Sequence, residues 1–360
     1  MTGRVIVAMS GGVDSAVAAL LLQRRGFDVI GVTLRLAPAV GVDGSRPSCC
    51  GTAGVEDARQ VAAQIGIPFY VWNYEQSFEE TVIAPFCAAY SRGQTPNPCV
   101  DCNAHVKFGK LLRSALAVGA DCVATGHYAR LECRPGGDGG MVLAKGRDAR
   151  RDQSYFLYVL PREQMDRVLL PLGDLEKEEV RRIAAGAGLP VHDKPASQDI
   201  CFVQDAGYQS LLRGRYAAAL QPGQIVDETG VVIGQHRGIG AYTVGQRRGL
   251  GVAAGQPLYV RAIEPVGNRI VVTTRERMSC RVLRVSRVNW LVSAPPASGR
   301  RLAVKTRYRA AEALAEVVAE TTAQALVRFD RPQPVVAPGQ SAVFYNGDQV
   351  IGGGVIDSYE

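Results

Sequence analysis

An apolar run followed at once by a serine- and glycine-rich turn, Val5-Ile-Val-Ala8 and then Met9-Ser-Gly-Gly-Val-Asp-Ser15, constrains this chain more than any other stretch. Val5 to Ala8 reads as a buried parallel strand and the apolar spacing from Ala16 to Arg24 predicts a helix, so the turn joins strand to helix. An anion belongs at such a turn. Its glycines let the backbone approach closely, the helix amino terminus offers unpaired N–H groups, and the Ser10 and Ser15 hydroxyls add donors. The turn has neither the Gly-Lys-Ser/Thr ending of a Walker A loop nor the Gly-x-Gly-x-x-Gly of a dinucleotide fold. Asp14 either orients a magnesium ion on a pyrophosphate or complements the helix dipole, and the residues leave both open.

Beyond the turn the elements alternate. Asp28 to Leu36 reads as a second strand, Val55 to Ile65 as a helix with acidic residues in its first turn, and Pro68 to Trp72 as a third strand. Ser77 to Tyr90 has helical spacing that Pro85 should kink, and Asp121 to Ala124 is a short buried strand. This predicts an α/β fold, a doubly wound parallel sheet with a nucleotide at the strand carboxyl ends. Leu34 would lie near the base, Gly126 would permit close approach to a ligand, and His127 would face a base or phosphate. Arg134 to Gly140 reads as a hairpin tip, and Arg150 to Phe156 suits either phosphate and base contacts or a capped helix start.

Thr95-Pro-Asn-Pro-Cys-Val-Asp-Cys-Asn103 precedes an amphipathic helix predicted from Ala104 to Leu116, which puts Cys102 at a helix start, where a thiol ionises more easily. Three readings compete for Cys99 and Cys102. With His105 they resemble part of a zinc site, although the adjacent Cys49 and Cys50 are poorly spaced to complete it. A thioredoxin-like pair would follow the first strand of its own small fold, and these cysteines do not. Catalytic thiolate chemistry fits the context best. Cys201, between Ile200 and Phe202 on a predicted strand, reads by itself as a small core residue.

The chain of 360 residues, with nine cysteines and a net charge of +7, is too long for one ordinary core and does not resemble a secreted disulfide framework. With no long apolar span, and with the turn beginning so close to Met1, a cytoplasmic protein without membrane contact is expected. The charge is uneven. From Arg281 to Ala310 the basic residues Arg281, Arg284, Arg287, Arg300, Arg301, Lys305, Arg307 and Arg309 meet no acidic residue and are interleaved with Trp290 and Tyr308, as suits a phosphate backbone with unstacked bases. Tyr208 to Leu220 reads as helix, Ile225 to Ile233 as a hairpin and Gly234 to Gly251 as a basic loop, together a small α+β domain. The short runs Arg301 to Tyr308, Ala313 to Ala319, Ala325 to Phe329, Ser341 to Tyr345 and Val350 to Ile356 predict a β-barrel, with Ser293 to Gly299 as one of its loops. The expected division is 1–203, 204–272 and 273–360.

Ser10-Gly-Gly-Val-Asp-Ser15 resembles the loop of the PP-loop ATP pyrophosphatase superfamily (adenine nucleotide alpha hydrolase-like), enzymes that cleave ATP between the α and β phosphates and hand AMP to a substrate oxygen. Six further motifs follow in the order found in tRNA-specific 2-thiouridylases: Asn97-Pro-Cys-Val-Asp-Cys-Asn103, Thr125-Gly-His-Tyr128, Asp152-Gln-Ser-Tyr-Phe-Leu157, Ser197-Gln-Asp-Ile-Cys-Phe202, Tyr242-Thr-Val-Gly-Gln-Arg-Arg-Gly-Leu250 and Pro338-Gly-Gln-Ser-Ala-Val-Phe-Tyr345. The chain resembles that family essentially throughout.

The resemblance implies sulfur insertion at C2 of the wobble uridine of certain tRNAs, with ATP consumed to AMP and pyrophosphate and a persulfide delivered by a cysteine desulfurase or sulfur-relay protein; magnesium is expected on general phosphate-chemistry grounds. It assigns ATP to Ala8, Met9, Ser10, Gly11, Gly12, Val13, Asp14, Ser15, Leu34 and Gly126. Cys102 becomes the nucleophile and Cys201 the persulfide carrier, the two left as a disulfide after turnover. Asn97, Pro98 and Cys99 would line the target-base pocket, and His127, Arg151, Asp152, Gln153, Arg307, Tyr308 and Gln340 would touch tRNA. No protein metal site is implied. Arg151 departs from the lysine common in the family, which keeps the cation but not a compact ammonium. The competing class is a non-catalytic zinc- or redox-sensing RNA-binding protein; within enzymes, it is a 4-thiouridine synthase or an amidating synthetase.

Overall fold

Val5, Ile6 and Val7 are completely buried in β1 (Arg4–Ala8), a central strand of a parallel sheet. The computed structural model describes residues 3–36, 52–133, 140–195, 200–203, 207–296 and 299–360. They divide into two units, one of Met1–Val82, Cys99–Phe202 and Asp348–Val350, the other of Ile83–Pro98, Val203–Gly347 and Ile351–Glu360.

In the first unit β1 pairs in parallel with β2 (Asp28–Arg35) on one side and β4 (Cys122–Ala124) on the other; β3 (Phe69–Asn73) and β7 (Val168–Leu169) complete the order β3-β2-β1-β4-β7. Strand order therefore reverses at β1, and the crevice beyond its carboxyl end is where an open α/β sheet binds a ligand. The register pairs Val7 with Gly31 and with Ala124, so the turn after β1 and the Thr125-Gly126 turn after β4 leave the sheet side by side. Helix α1 (Val13–Arg24) and α2 (Thr52–Ile65) contribute Val17, Ala18, Val61 and Ala62 to the core around β1. An antiparallel hairpin, β5 (Ala129–Cys133) and β6 (Met141–Lys145), follows, and its tip from 134 to 139 lies outside the described residues.

Several local expectations change. Helix α2 starts at Thr52, so Glu56 and Asp57 fall in its second turn and not its first. The irregularity near Pro85 is a π-helical segment, Glu79–Ile83, ahead of the α-helix Ala84–Ser91 that holds Pro85 in its first turn, where the missing N–H is harmless. Cys102 is not at a helix start, because Pro98–Asp101 already forms an α-turn and a π-helix, Cys102–Leu111, continues from it. Cys201 lies in a turn and not on a strand, exposed, while Phe202 beside it packs edge-on against Phe78 at 5.6 Å. Ser197 to Asp199 and the Cys49-Cys50 pair lie outside the described residues.

The second unit holds a four-stranded sheet in the order β10-β11-β8-β9, from β8 (Gly223–Val226), β9 (Val232–His236), β10 (Tyr259–Glu264) and β11 (Arg269–Thr273). The helix predicted to reach Leu220 breaks at Tyr216 into α-helix Gln209–Arg215 and a 3₁₀ turn. A closed barrel follows: β12 (Ser279–Trp290), β15 (Gln324–Pro334), β14 (Ala313–Thr321), β13 (Arg301–Lys305), β16 (Ser341–Asn346) and β17 (Gln349–Tyr359), with β17 returning to β12. The basic stretch thus begins on a strand that charge alone did not reveal. Two bulges interrupt β12 against β17, which breaks the two-residue alternation by which a strand is read. One apolar cluster includes Ile225, Val260 and Ile270 of the small sheet together with Leu283, Val304 and Phe344 of the barrel.

Candidate active site

The turn after β1 is braced from within. Ser15 Oγ accepts from the Ser10 N–H at 3.1 Å and donates to the Gly12 carbonyl at 3.1 Å, so Ser15 holds the loop's shape while Ser10 stays exposed. Gly11 adopts φ +72°, and a Cβ there would sit 2.2 Å from the Gly54 carbonyl oxygen. Gly126 presses on the loop from β4, where a Cβ would fall 2.8 Å from both the Asp14 carbonyl carbon and the Ser15 nitrogen. Met9 is tied to β2 through the Thr33 hydroxyl, which donates to its carbonyl at 2.6 Å, and Leu34 is buried next to Thr33. Gly126 thus packs on the loop, and Leu34 follows the β2 residue that ties Met9.

Three residues that pattern reading missed complete this corner. The Tyr128 hydroxyl and the Lys177 ammonium both donate to Asp14 Oδ1 at 2.6 Å. Burial, followed by the Asp14 charge, pushes the Tyr128 phenol far above its usual range, so it remains a donor. Lys194 donates to the Gly11 carbonyl at 3.0 Å and pairs with Asp57. Lys177 is a buried cation whose side chain is only 5% exposed, which makes its pairing with Asp14 obligatory. Two ammonium groups therefore flank a phosphate-shaped loop. Neither is near it in sequence.

His127 is buried, with Nδ1 2.7 Å from Thr125 Oγ1 and Nε2 3.4 Å from Lys107 Nζ. Burial first, and Lys107 second, hold its imidazole well below the ordinary value. A neutral ring beside an ammonium must accept at Nε2, which leaves the proton on Nδ1 to donate to Thr125. Asp152 is buried and accepts from the Gly146 and Ser154 N–H groups and from the Ser154 hydroxyl, and Gln153 accepts the Tyr128 N–H at 3.0 Å. Those two side chains shape the turn, and Arg151 beside them is exposed. Cys102 is buried and Cys99 exposed.

In the second unit Asn97 is half-buried and Pro98 buried. Gln340 Nε2 donates to the Thr95 carbonyl at 2.7 Å, and Thr95 N–H donates to Pro338 O at 2.7 Å, so the barrel loop holds the stretch leading to Asn97. Arg307 is exposed and donates to Val335 O at 2.9 Å, while Tyr308 lies under Lys305 Nζ at 5.8 Å. Arg281, Arg284 and Arg287 point outward from β12, but Arg284 meets Glu360 at 3.5 Å and Arg301 meets Asp330 at 2.9 Å. Strand pairing therefore supplies acids that the linear stretch lacks. Among the described residues no group of three or more His, Cys, Asp or Glu could hold a metal, and no helix is long and apolar enough to cross a membrane.

A parallel sheet with a braced anion loop and a flanking pair of lysines at its switch point defines an α/β protein of the PP-loop class. Its residues 3–205 match the tRNA methyl transferase HUP domain, 212–274 the tRNA methyl transferase PRC-barrel domain and 280–356 the aminomethyltransferase β-barrel domain. The chain belongs to the tRNA-specific 2-thiouridylase MnmA family. It is 47% identical over 354 residues to the tRNA-specific 2-thiouridylase MnmA of Moorella thermoacetica, covering 98% of this chain and 99% of that one. The protein of the same name from Chloroflexus aurantiacus is 47% identical over 353 residues, covering 98% of each.

Proposed function

We propose that the protein is a tRNA 2-thiouridylase, using ATP to activate the C2 oxygen of a wobble uridine and replacing it with sulfur from a cysteine persulfide. The observation that carries this is the 47% identity to a tRNA-specific 2-thiouridylase over 354 residues, 98% of this chain. The C2 oxygen of uracil is a poor leaving group, and adenylation turns it into AMP. The amides between Ser10 and Ser15 take the phosphates, Lys177 and Lys194 supply positive charge, and Leu34 and Gly126 border the nucleotide. Asp14 offers one carboxylate, a donor set that suits magnesium carried on phosphate oxygens; bound there, the ion would add charge neutralisation at the pyrophosphate.

Sulfur arrives as a persulfide on Cys201, whose exposure in a turn suits loading by a separate donor protein. The terminal sulfur attacks C2 directly, after which Cys102 attacks Cys201 Sγ and breaks its bond to the transferred sulfur; or Cys102 attacks Cys201 Sγ first and releases hydrosulfide, which attacks C2. The C2–O bond breaks with its electron pair on AMP, and the Cys102–Cys201 disulfide formed in either route needs two electrons from a thiol reductant before the next cycle. Water must be kept out, since its attack at C2 would restore uridine. Asn97, Pro98 and Cys99 would receive the flipped base, and His127, Arg151, Asp152, Gln153, Arg307, Tyr308 and Gln340 would meet the tRNA, directly or by shaping the surface that does. The division 1–203, 204–272 and 273–360 and a cytoplasmic location belong to the same reading.

Single-turnover thiolation of an unmodified tRNA with ATP and a persulfide source tests it. Wild type should form 2-thiouridine and AMP while Cys102→Ser and Cys201→Ser form no 2-thiouridine. Binding of tRNA with neither product, together with stoichiometric zinc, would replace this reading with the metal- or redox-sensing one.

A further inference from the structure

Lys107 has no part in the assignments above, yet three observations converge on it. First, the segment Cys102–Leu111 is a π-helix, whose i to i+5 hydrogen bonding carries residues five apart to nearly the same side. Cys102 and Lys107 are five apart. In an α-helix they would be turned about 140° from one another, and the wider winding reduces that angle. Second, Lys107 Nζ lies 3.4 Å from His127 Nε2, and His127 is fixed from its other nitrogen by Thr125 at 2.7 Å. Third, His127 follows Gly126, where a Cβ would fall 2.8 Å from the Asp14–Ser15 backbone. Lys107 is therefore carried on the Cys102 segment itself, half-buried, and through His127 it adjoins the strand end whose Gly126 meets the phosphate loop.

Taking the thiouridylase reading as its premise, we infer that Lys107 binds the α-phosphate of the adenylated uridine and stabilises AMP as it departs, with His127 as its positioning residue. Sulfur adds to C2, the C2–O bond breaks, and the electron pair moves onto the phosphate oxygen of AMP. Lys107 keeps its proton and donates hydrogen bonds to the phosphate as the charge grows. An ammonium group aimed by a rigid neutral acceptor needs no reorganisation at that moment, which is how preorganised charge lowers a barrier. His127 acts through Lys107 by accepting one of its three N–H bonds.

The test is single-turnover thiolation of an unmodified tRNA with ATP and sodium sulfide as sulfur source, which makes the result independent of persulfide loading at Cys201. Lys107→Met should lower the maximal rate about 10²-fold while the ATP and tRNA concentrations for half-maximal rate change less than about threefold. Lys107→Arg should recover a tenth or more of the wild-type rate, and His127→Gln, which keeps an acceptor, should be faster than His127→Leu. Circular dichroism and thermal melting establish that each variant folds; if Lys107→Met does not, Lys107→Gln carries the same expectation. A Lys107→Met enzyme with the wild-type maximal rate, or one altered only in half-saturation, overturns the inference. Failure of wild type to make 2-thiouridine under any sulfur source would instead overturn the thiouridylase reading.

Discussion

Lys177 and Arg284 are both cations paired with acids, and they could hardly differ more in what the pairing is worth. Lys177 is 5% exposed and meets Asp14 at 2.6 Å inside the phosphate-loop corner, whereas Arg284 is 53% exposed on β12 and meets Glu360 at 3.5 Å and Glu320 at 3.9 Å. A buried charge without its partner is expensive, while a surface charge is solvated either way. The first unit therefore uses cations as fixed parts of a site. The barrel instead carries surface charges that water solvates whether or not they are paired.

The largest effect should come from removing the buried partner. Lys177→Met leaves Asp14 with only Tyr128, and stability should fall by roughly 2–3 kcal/mol, the lower part of the range for broken buried pairs because Asp14 remains a third exposed. Urea denaturation reads the stability loss and nucleotide titration the accompanying loss of ATP affinity; an unchanged urea midpoint would erase the contrast with Arg284. Next comes Gly126→Ala, whose Cβ would lie 2.8 Å from loop backbone that cannot swing aside. It should cost about 1–3 kcal/mol by overpacking and weaken ATP binding, seen by melting with and without nucleotide.

Acid should act on both units through one buried histidine each. Burial lowers the pKa of His127 in the first unit and of His236 in the second, where Nδ1 accepts the Gly238 N–H. For a group with a depressed folded-state pKa, the unfolded chain binds the proton first, so stability is complete above the ordinary value of 6.5 and declines as pH drops below it. Unfolding measured at pH 7.5 and at pH 5 should show a smaller acid loss in His127→Gln and in His236→Asn than in wild type. Smallest in stability is Arg284→Ala, expected within about 0.5 kcal/mol of wild type, while the salt dependence of tRNA binding should shallow by about one counterion. A melting shift comparable to that of Lys177→Met would show that β12 holds structural charges after all.

Much of this molecule could be read from local pattern. The strand, turn and helix from Arg4 to Arg24 form from contiguous residues whose apolar spacing and glycines determine them, and most barrel strands after Arg301 alternate as strands should. Other features had no local signal. The winding that starts at Cys102 is π and not α, and β12 was hidden by bulges that shift its register.

What the amino-acid sequence determined by itself was the turn after β1 and the alternation that builds a parallel sheet, because each depends on residues within a few positions of one another. What only the tertiary structure decided was the company they keep. Lys177 reaches Asp14 across 163 positions, Lys194 reaches Gly11 across 183, and Tyr128 reaches Asp14 across 114. The side-by-side departure of the chain from β1 and β4 places Gly126 on the loop and His127 beside Lys107. Buried charges need partners, and which partner they find is a property of the packed sheet.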